Sequence, residues 1–146
     1  MFSINRILNL MKKEIQDDFK NTTPIFYVEN YFGLSEDDIR TKFRRSGSII
    51  IVYDGRNYKL QASNSMEIVF RISFFVVEQT IGVKEKSNFL IDTFLDYITF
   101  HNFDLVQTEY PTSDIEPFFP ESDVLWAEVG SGISVFRISG YMTMVK

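Results

Sequence analysis

Hydrophobic residues recur at three- and four-residue spacing through Ile4, Ile7, Leu8, Met11, Ile15 and Phe19, while Asn5, Lys12, Lys13 and Gln16 fall on the opposite side. This is the stripe of an amphipathic helix. Ser3 is placed to cap it. Asn21-Thr22-Thr23-Pro24 ends it, because proline cannot continue a helix and restricts the residue before it. Pro24–Tyr31 is β-branched and aromatic and predicts a strand, at a sheet edge because proline leads it. A second helix is expected between Ser35 and Gly47. Ser35 with Asp38 approximates a capping box, and Leu34 and Ile39 take the staple positions. Glu36, Asp37 and Asp38 fill the first turn and Arg40, Lys42, Arg44 and Arg45 the later ones, matching the helix dipole at both ends. Gly47 is the C-terminal stop.

From Ser48 onward the pattern becomes that of a sheet. Ser48–Tyr53 is an apolar strand for the sheet interior, followed by Asp54-Gly55, a hairpin turn signal. In Met66–Val77 strict alternation puts Met66, Ile68, Phe70, Ile72, Phe74 and Val76 on one face. The other face begins polar at Glu67 and ends apolar at Phe75 and Val77, which predicts cover on both sides at that end. Ser87 caps a further helix whose buried stripe is Phe89, Leu90, Phe94, Tyr97 and Ile98. Phe103–Thr108 reads as a short strand. Tyr110–Asp123 has no period and three prolines and reads as a long loop. Val124–Glu128 and Ile133–Val145 form a closing hairpin across Gly130-Ser131-Gly132, with Phe136, Ile138, Met142 and Met144 on one face. The expected fold is one α+β domain over residues 1–146: an antiparallel sheet of about four to six strands with helices packed mainly on one face.

Composition narrows the class. Of 146 residues, 45% are apolar and 24% charged, with fifteen Phe, seven Tyr and one Trp to build a core. Uncharged stretches such as Asn21–Val28 are far shorter than the roughly 20 residues of a membrane-spanning helix. Nor does the start resemble a signal peptide, since Lys12, Lys13 and Glu14 follow the apolar run at once. With no cysteine there is no disulfide or thiolate chemistry, and a cytoplasmic setting is expected. The net charge of −5 is unevenly spread: residues 1–86 hold thirteen Lys/Arg and eleven Asp/Glu, whereas 87–136 hold nine acids and no Lys or Arg. An acid-only half repels phosphate, so no specific nucleic-acid binding is expected.

Candidate chemistry is sparse. His101 is the only histidine, so neither a multi-histidine zinc site nor a Cys–His pair forms, and a role at a helix C-terminus is expected for it. Ser131 lacks a nucleophile-elbow context, and no phosphate-binding glycine motif is present. Asp17/Asp18 and Asp37/Asp38 are helix neighbours that point apart, not converging acid/base pairs. Asp114, Glu116, Glu121 and Asp123 offer oxygen ligands, but their spacing matches no EF-hand loop. No catalytic, cofactor or metal residue is therefore assigned, and the chain is not expected to be an enzyme.

Glu116-Pro117-Phe118-Phe119-Pro120-Glu121 stands out. Two phenylalanines sit between prolines, with acids outside. Either both rings plug the sheet, or they form a preorganised aromatic anchor for a partner.

The element order resembles that of the tail-terminator proteins of contractile phage tails and phage-tail-like particles, the small Mu-like prophage family in particular. The resemblance rests on the opening amphipathic helix and the segment Arg44-Arg45-Ser46-Gly47-Ser48-Ile49-Ile50-Ile51-Val52-Tyr53-Asp54-Gly55. It continues through the long strand Glu67–Val77 leading to the helix Asn88–Ile98, and the alternating strand Ile133–Met144. The resemblance implies a non-catalytic structural protein without cofactors. It forms a ring of about six copies that ends tube polymerisation, holds the last sheath ring and meets a neck or connector protein. A ring needs two different surfaces that meet. The basic Arg40, Lys42, Arg44 and Arg45 against Glu109, Asp114 and Glu116, with Phe118 and Phe119, are the expected interface. The alternative is a small intracellular protein-binding or adaptor domain whose acidic loop docks a basic partner.

Overall fold

The alternation in Met66–Val77 makes that segment the middle of the sheet. The computed structural model describes residues 3–20, 27–31, 47–62, 65–79, 89–111, 113–129 and 133–145. Its elements are α1 (Ile4–Phe19), β1 (Tyr27–Tyr31), β2 (Ser48–Ala62), β3 (Ser65–Gln79), α2 (Phe89–Ile98), α3 (Asp104–Glu109), β4 (Asp114–Ile115), β5 (Phe119–Val129) and β6 (Ile133–Val145). The fold is α+β. The strands form one sheet in the order β1-β2-β3-β6, and both β4 and β5 pair with the far side of β6. All pairings are antiparallel except β1 with β2, which is parallel. As expected, β1 lies at an edge and the apolar start of β2 lies inside the sheet. The expected helix at 35–46, Pro24, the Ser87 cap and the Gly130–Gly132 turn fall outside the described residues.

One core lies between the sheet and the helices. Phe70, Ile72 and Phe74 of β3 pack with Leu8, Met11 and Ile15 of α1, and with Phe94 and Ile98 of α2. Ser3 caps α1 as the spacing predicts, its side chain accepting from Arg6 N at 3.3 Å. A smaller cluster, Ile50, Val52, Phe75, Val77 and Val135, is buried on the opposite face. That end of β3 is thus covered on both sides, as the switch from polar to apolar along its second face implies.

Three expectations from local sequence give way to tertiary context. Asp54-Gly55 is a bulge within β2, which runs on to Ala62 before the chain reverses. Gly55 takes φ 118°, open to glycine and strained for other residues. The Asp54 carboxylate accepts from Ser73 on β3 and lies 3.8 Å from Arg137 on β6, so partners across the sheet hold the bulge. Phe103–Thr108, expected as a short strand, instead leads into helix α3 (Asp104–Glu109): Phe103 and Val106 are buried three positions apart, and Gln107 and Tyr110 amides bond the carbonyls of Phe103 and Val106. Within Tyr110–Asp123, expected as a loop, residues 114–115 and 119–123 lie on the sheet edge as strand, while 116–118 remain non-strand. Asp114 and Ile115 pair with Val145 and Met144, the Glu116 amide bonds Thr143 O, and pairing resumes at Phe119 with Tyr141. An edge strand tolerates Pro117 and Pro120 because it need not donate to a second neighbour.

Between β4 and β5 the chain turns inward and places Phe118 in the core. The ring has no exposed surface and meets Phe74 edge-on at 5.1 Å between centroids. Two backbone hydrogen bonds pin it: Phe118 N to His101 O (3.2 Å) and Phe100 N to Phe118 O (2.9 Å). Beneath it lies Gly140, where a Cβ would overlap the Phe118 ring and the carbonyl oxygen of Phe119. Phe118→Ala is expected to lower stability by about 3–5 kcal/mol, and Gly140→Ala by about 1–3 kcal/mol. Because the two sites share one space, the double variant should lose less than the sum in urea unfolding.

Candidate functional site

Two places combine unusual chemistry with exposure: a polar knot between α1 and the α2–α3 corner, and the outer edge of the sheet.

The knot begins with a charged residue on an apolar stripe. Glu14 follows Met11 by three positions, so its carboxylate turns toward the core and is buried. Oε1 accepts from Leu105 N at 3.0 Å, serving the first turn of α3, whose own N-cap residue Phe103 makes no side-chain cap. Oε2 meets His101 Nε2 at 2.5 Å. One turn further along α1, Asp18 accepts from the Tyr97 hydroxyl at 2.6 Å. The same Tyr97 oxygen lies 3.1 Å from His101 Nε2, and the two rings lie 4.3 Å apart between centroids. Phe103 closes the other side of the imidazole, edge-on at 4.6 Å. Glu14 and Asp18 are an i, i+4 pair on one face of α1, and they meet Tyr97 from the last turn of α2 and His101 from the segment just beyond its end. Asp17 points away to Lys13 at 2.9 Å, as expected of helix neighbours.

Burial pushes the Tyr97 phenol well above its ordinary range. The hydrogen bond to Asp18 and the nearby carboxylate charges act in the same direction. His101 does sit just past a helix C-terminus, with its amide on Ile98 O at 3.0 Å, but its side chain serves the contact to Glu14. Sequence reading missed Glu14, Asp18 and Tyr97 as a group. The available signal was a glutamate in register with a buried stripe; its partner His101 is 87 positions away along the chain.

The expected interface residues divide. Phe118 is corrected to a core residue, because its ring fills the space over Gly140. Phe119 turns outward and is 41% exposed, against Tyr141 and Phe100 with centroids 5.4 Å away in each case. Phe100, 61% exposed, is a non-glycine residue with positive φ, 54°. Val124 and Leu125 on β5 are 50% and 51% exposed and border a cleft of about 230 Å³ with Asp92, Asp123, Ile91 and Phe136. Asp114 and Glu116 are exposed on the same edge. Glu109 is engaged within the chain, 3.2 Å from Arg6. Glu121 likewise pairs with Arg71 at 2.7 Å. Arg40, Lys42, Arg44 and Arg45 lie outside the described residues. No helix among the described residues is long and apolar enough to cross a membrane.

Compared with models of known protein families and with curated proteins, the sequence matches none.

The Tyr97 phenol gives a testable pH dependence. The folded chain holds this proton more tightly than the unfolded chain, whose tyrosines ionise near pH ~10. Its contribution to stability is therefore complete below pH ~10 and is lost as the pH rises above that value. Tyrosinate absorbance should show a group that fails to ionise until the chain unfolds in alkali. Tyr97→Phe should remove that group and flatten the alkaline fall in stability.

Proposed function

We propose that this chain is a structural ring subunit of the tail-terminator kind, acting through self-assembly and not through catalysis. The observation that carries the proposal is the outer edge of β5. Among the described residues β5 pairs only with β6, and no described strand lies on its other side. Edges of this kind pair with other chains unless they are blunted. Exposed Phe119, Val124 and Leu125 lie along it and exposed Phe100 packs on Phe119, with the exposed acids Asp114, Glu116 and Asp123 spread along the same edge. An aromatic on a left-handed backbone position stores strain of order 1–3 kcal/mol, and such positions cluster at functional sites.

In the ring, this acidic, apolar edge meets a different surface of the next copy, the heterologous contact that closes a ring. The lysine- and arginine-bearing half of the sequence supplies the charge complement, with Arg40, Lys42, Arg44 and Arg45 as its densest cluster. The ring, of about six copies, would end the tail tube, hold the last sheath ring and meet a neck or connector protein. Assembly in the cytoplasm and incorporation in a phage tail or tail-like particle belong to the same proposal.

Light scattering across a concentration series and negative-stain microscopy, with and without assembled tail tube, test this reading. Rings at high concentration or on tube ends are expected. Leu125→Asp and Phe119→Ala should abolish them while changing folding stability by only roughly 1 kcal/mol or less, as exposed positions do. A chain that stays monomeric under every condition and never binds tube ends overturns the proposal. Binding of a basic protein by that monomer would favour the adaptor role.

A further inference from the structure

We propose that Glu14, Asp18 and His101 form a binding site for one divalent transition-metal ion of the zinc type. This inference is independent of ring assembly and rests on the convergence at the α1 and α2–α3 corner. One carboxylate oxygen each of Glu14 and Asp18 and a ring nitrogen of His101 lie within 4.8 Å of one another. A zinc ion sits ~2.0–2.2 Å from each oxygen or nitrogen ligand, so tetrahedral ligands stand about 3.3 Å apart. Reaching that spacing takes a small movement of the exposed Asp18 carboxylate and a widening of the Glu14–His101 contact. Glu14 and His101 are already in contact at 2.5 Å.

The donor set selects the ion. One imidazole nitrogen with two carboxylate oxygens suits zinc and its first-row neighbours, whereas calcium and magnesium favour all-oxygen sets. Three protein ligands leave a fourth position for water on the solvent side, next to Asp18. The groups behind the ligands are in place as well. The Leu105 amide holds the other oxygen of Glu14, and the Tyr97 hydroxyl holds Asp18, so each carboxylate arrives oriented. Two carboxylates held side by side on α1 repel one another, and a dication between them removes that repulsion. Binding requires the His101 Nε2 lone pair to face the ion in place of its contact with Glu14.

The test uses the full chain without an affinity tag, stripped with a chelator and titrated with Co²⁺ and then Zn²⁺. Saturable one-to-one Co²⁺ binding is expected, with the visible absorption of a low-coordinate site that Zn²⁺ displaces. Zn²⁺ should raise the melting temperature, and Mg²⁺ and Ca²⁺ at equal concentration should not. Asp18→Asn removes one ligand charge yet keeps an acceptor for Tyr97 at an exposed position, so it should fold normally and lose at least tenfold in affinity. His101→Gln should do the same. Asp114→Asn with Glu116→Gln, on the distant sheet edge, should leave affinity unchanged. Absence of saturable one-to-one binding overturns the proposal. So does affinity that survives Asp18→Asn, or that survives His101→Gln in a folded chain.

Discussion

A carboxylate taken out of water must be matched by donors or it destabilises the chain by several kcal/mol. Glu14 is such a group, and the way it is matched organises one end of the molecule. Its two oxygens reach two different partners, the Leu105 amide and the His101 imidazole, so a single side chain of α1 fixes both the start of α3 and the turn that follows α2. The carbonyl of that same His101 accepts from Phe118 N, and the Phe100 amide donates back to Phe118 O. The helical layer and the edge of the sheet are therefore connected through a few consecutive residues after α2.

The sheet meets this connection with a complementary feature. Gly140 removes a side chain from β6 at the one position where the Phe118 ring lies flush on the strand, and the ring then stacks edge-on with Phe74 of β3. A second capping device joins α2 to β3: the Glu78 carboxylate accepts from Leu90 N at 2.9 Å at the start of the helix. Buried acids from α1 and β3 thus satisfy amides at the N-termini of α3 and α2, where the helix dipole favours negative charge. On the other face of the sheet, Asp54, Ser73, Ser139 and Arg137 bond to one another and absorb the bulge in β2. Among the described residues, no buried side-chain polar atom lacks a hydrogen-bond partner, which is the condition under which buried polar groups specify a fold instead of weakening it.

Among the described residues, Tyr58 and Met66 are exposed on β2 and β3, and Phe119, Val124 and Leu125 along the β5 edge. There the prolines, the inward turn at Phe118 and the acids interrupt what would otherwise be a flat strand open to indiscriminate pairing. Along β5 the exposed apolar side chains Phe119, Val124 and Leu125 are interspersed with the exposed acids Glu121 and Asp123.

Periodicity made much of this fold legible in advance. The stripe Ile7, Leu8, Met11, Ile15 and Phe19 with its Ser3 cap, the alternation of β3, the double cover at Phe75 and Val77, and the final hairpin all follow from side-chain spacing, since burial on one face requires that spacing. Charge distribution likewise marked the acid-only half. Where local signals competed with distant partners, tertiary structure decided. Asp54-Gly55 has the residues of a turn, yet Ser73 and Arg137 across the sheet hold it as a bulge. Residues 103–108 look like a strand until Glu14 caps α3 there. Pro117-Phe118-Phe119-Pro120 reads as one unit, yet the vacancy over Gly140 sends one ring inward and leaves the other outside. The Glu14–His101 contact could not be read from order along the chain, because spacing reports only neighbours within a helix or strand, and these two side chains meet only once α1 is packed against the end of α2.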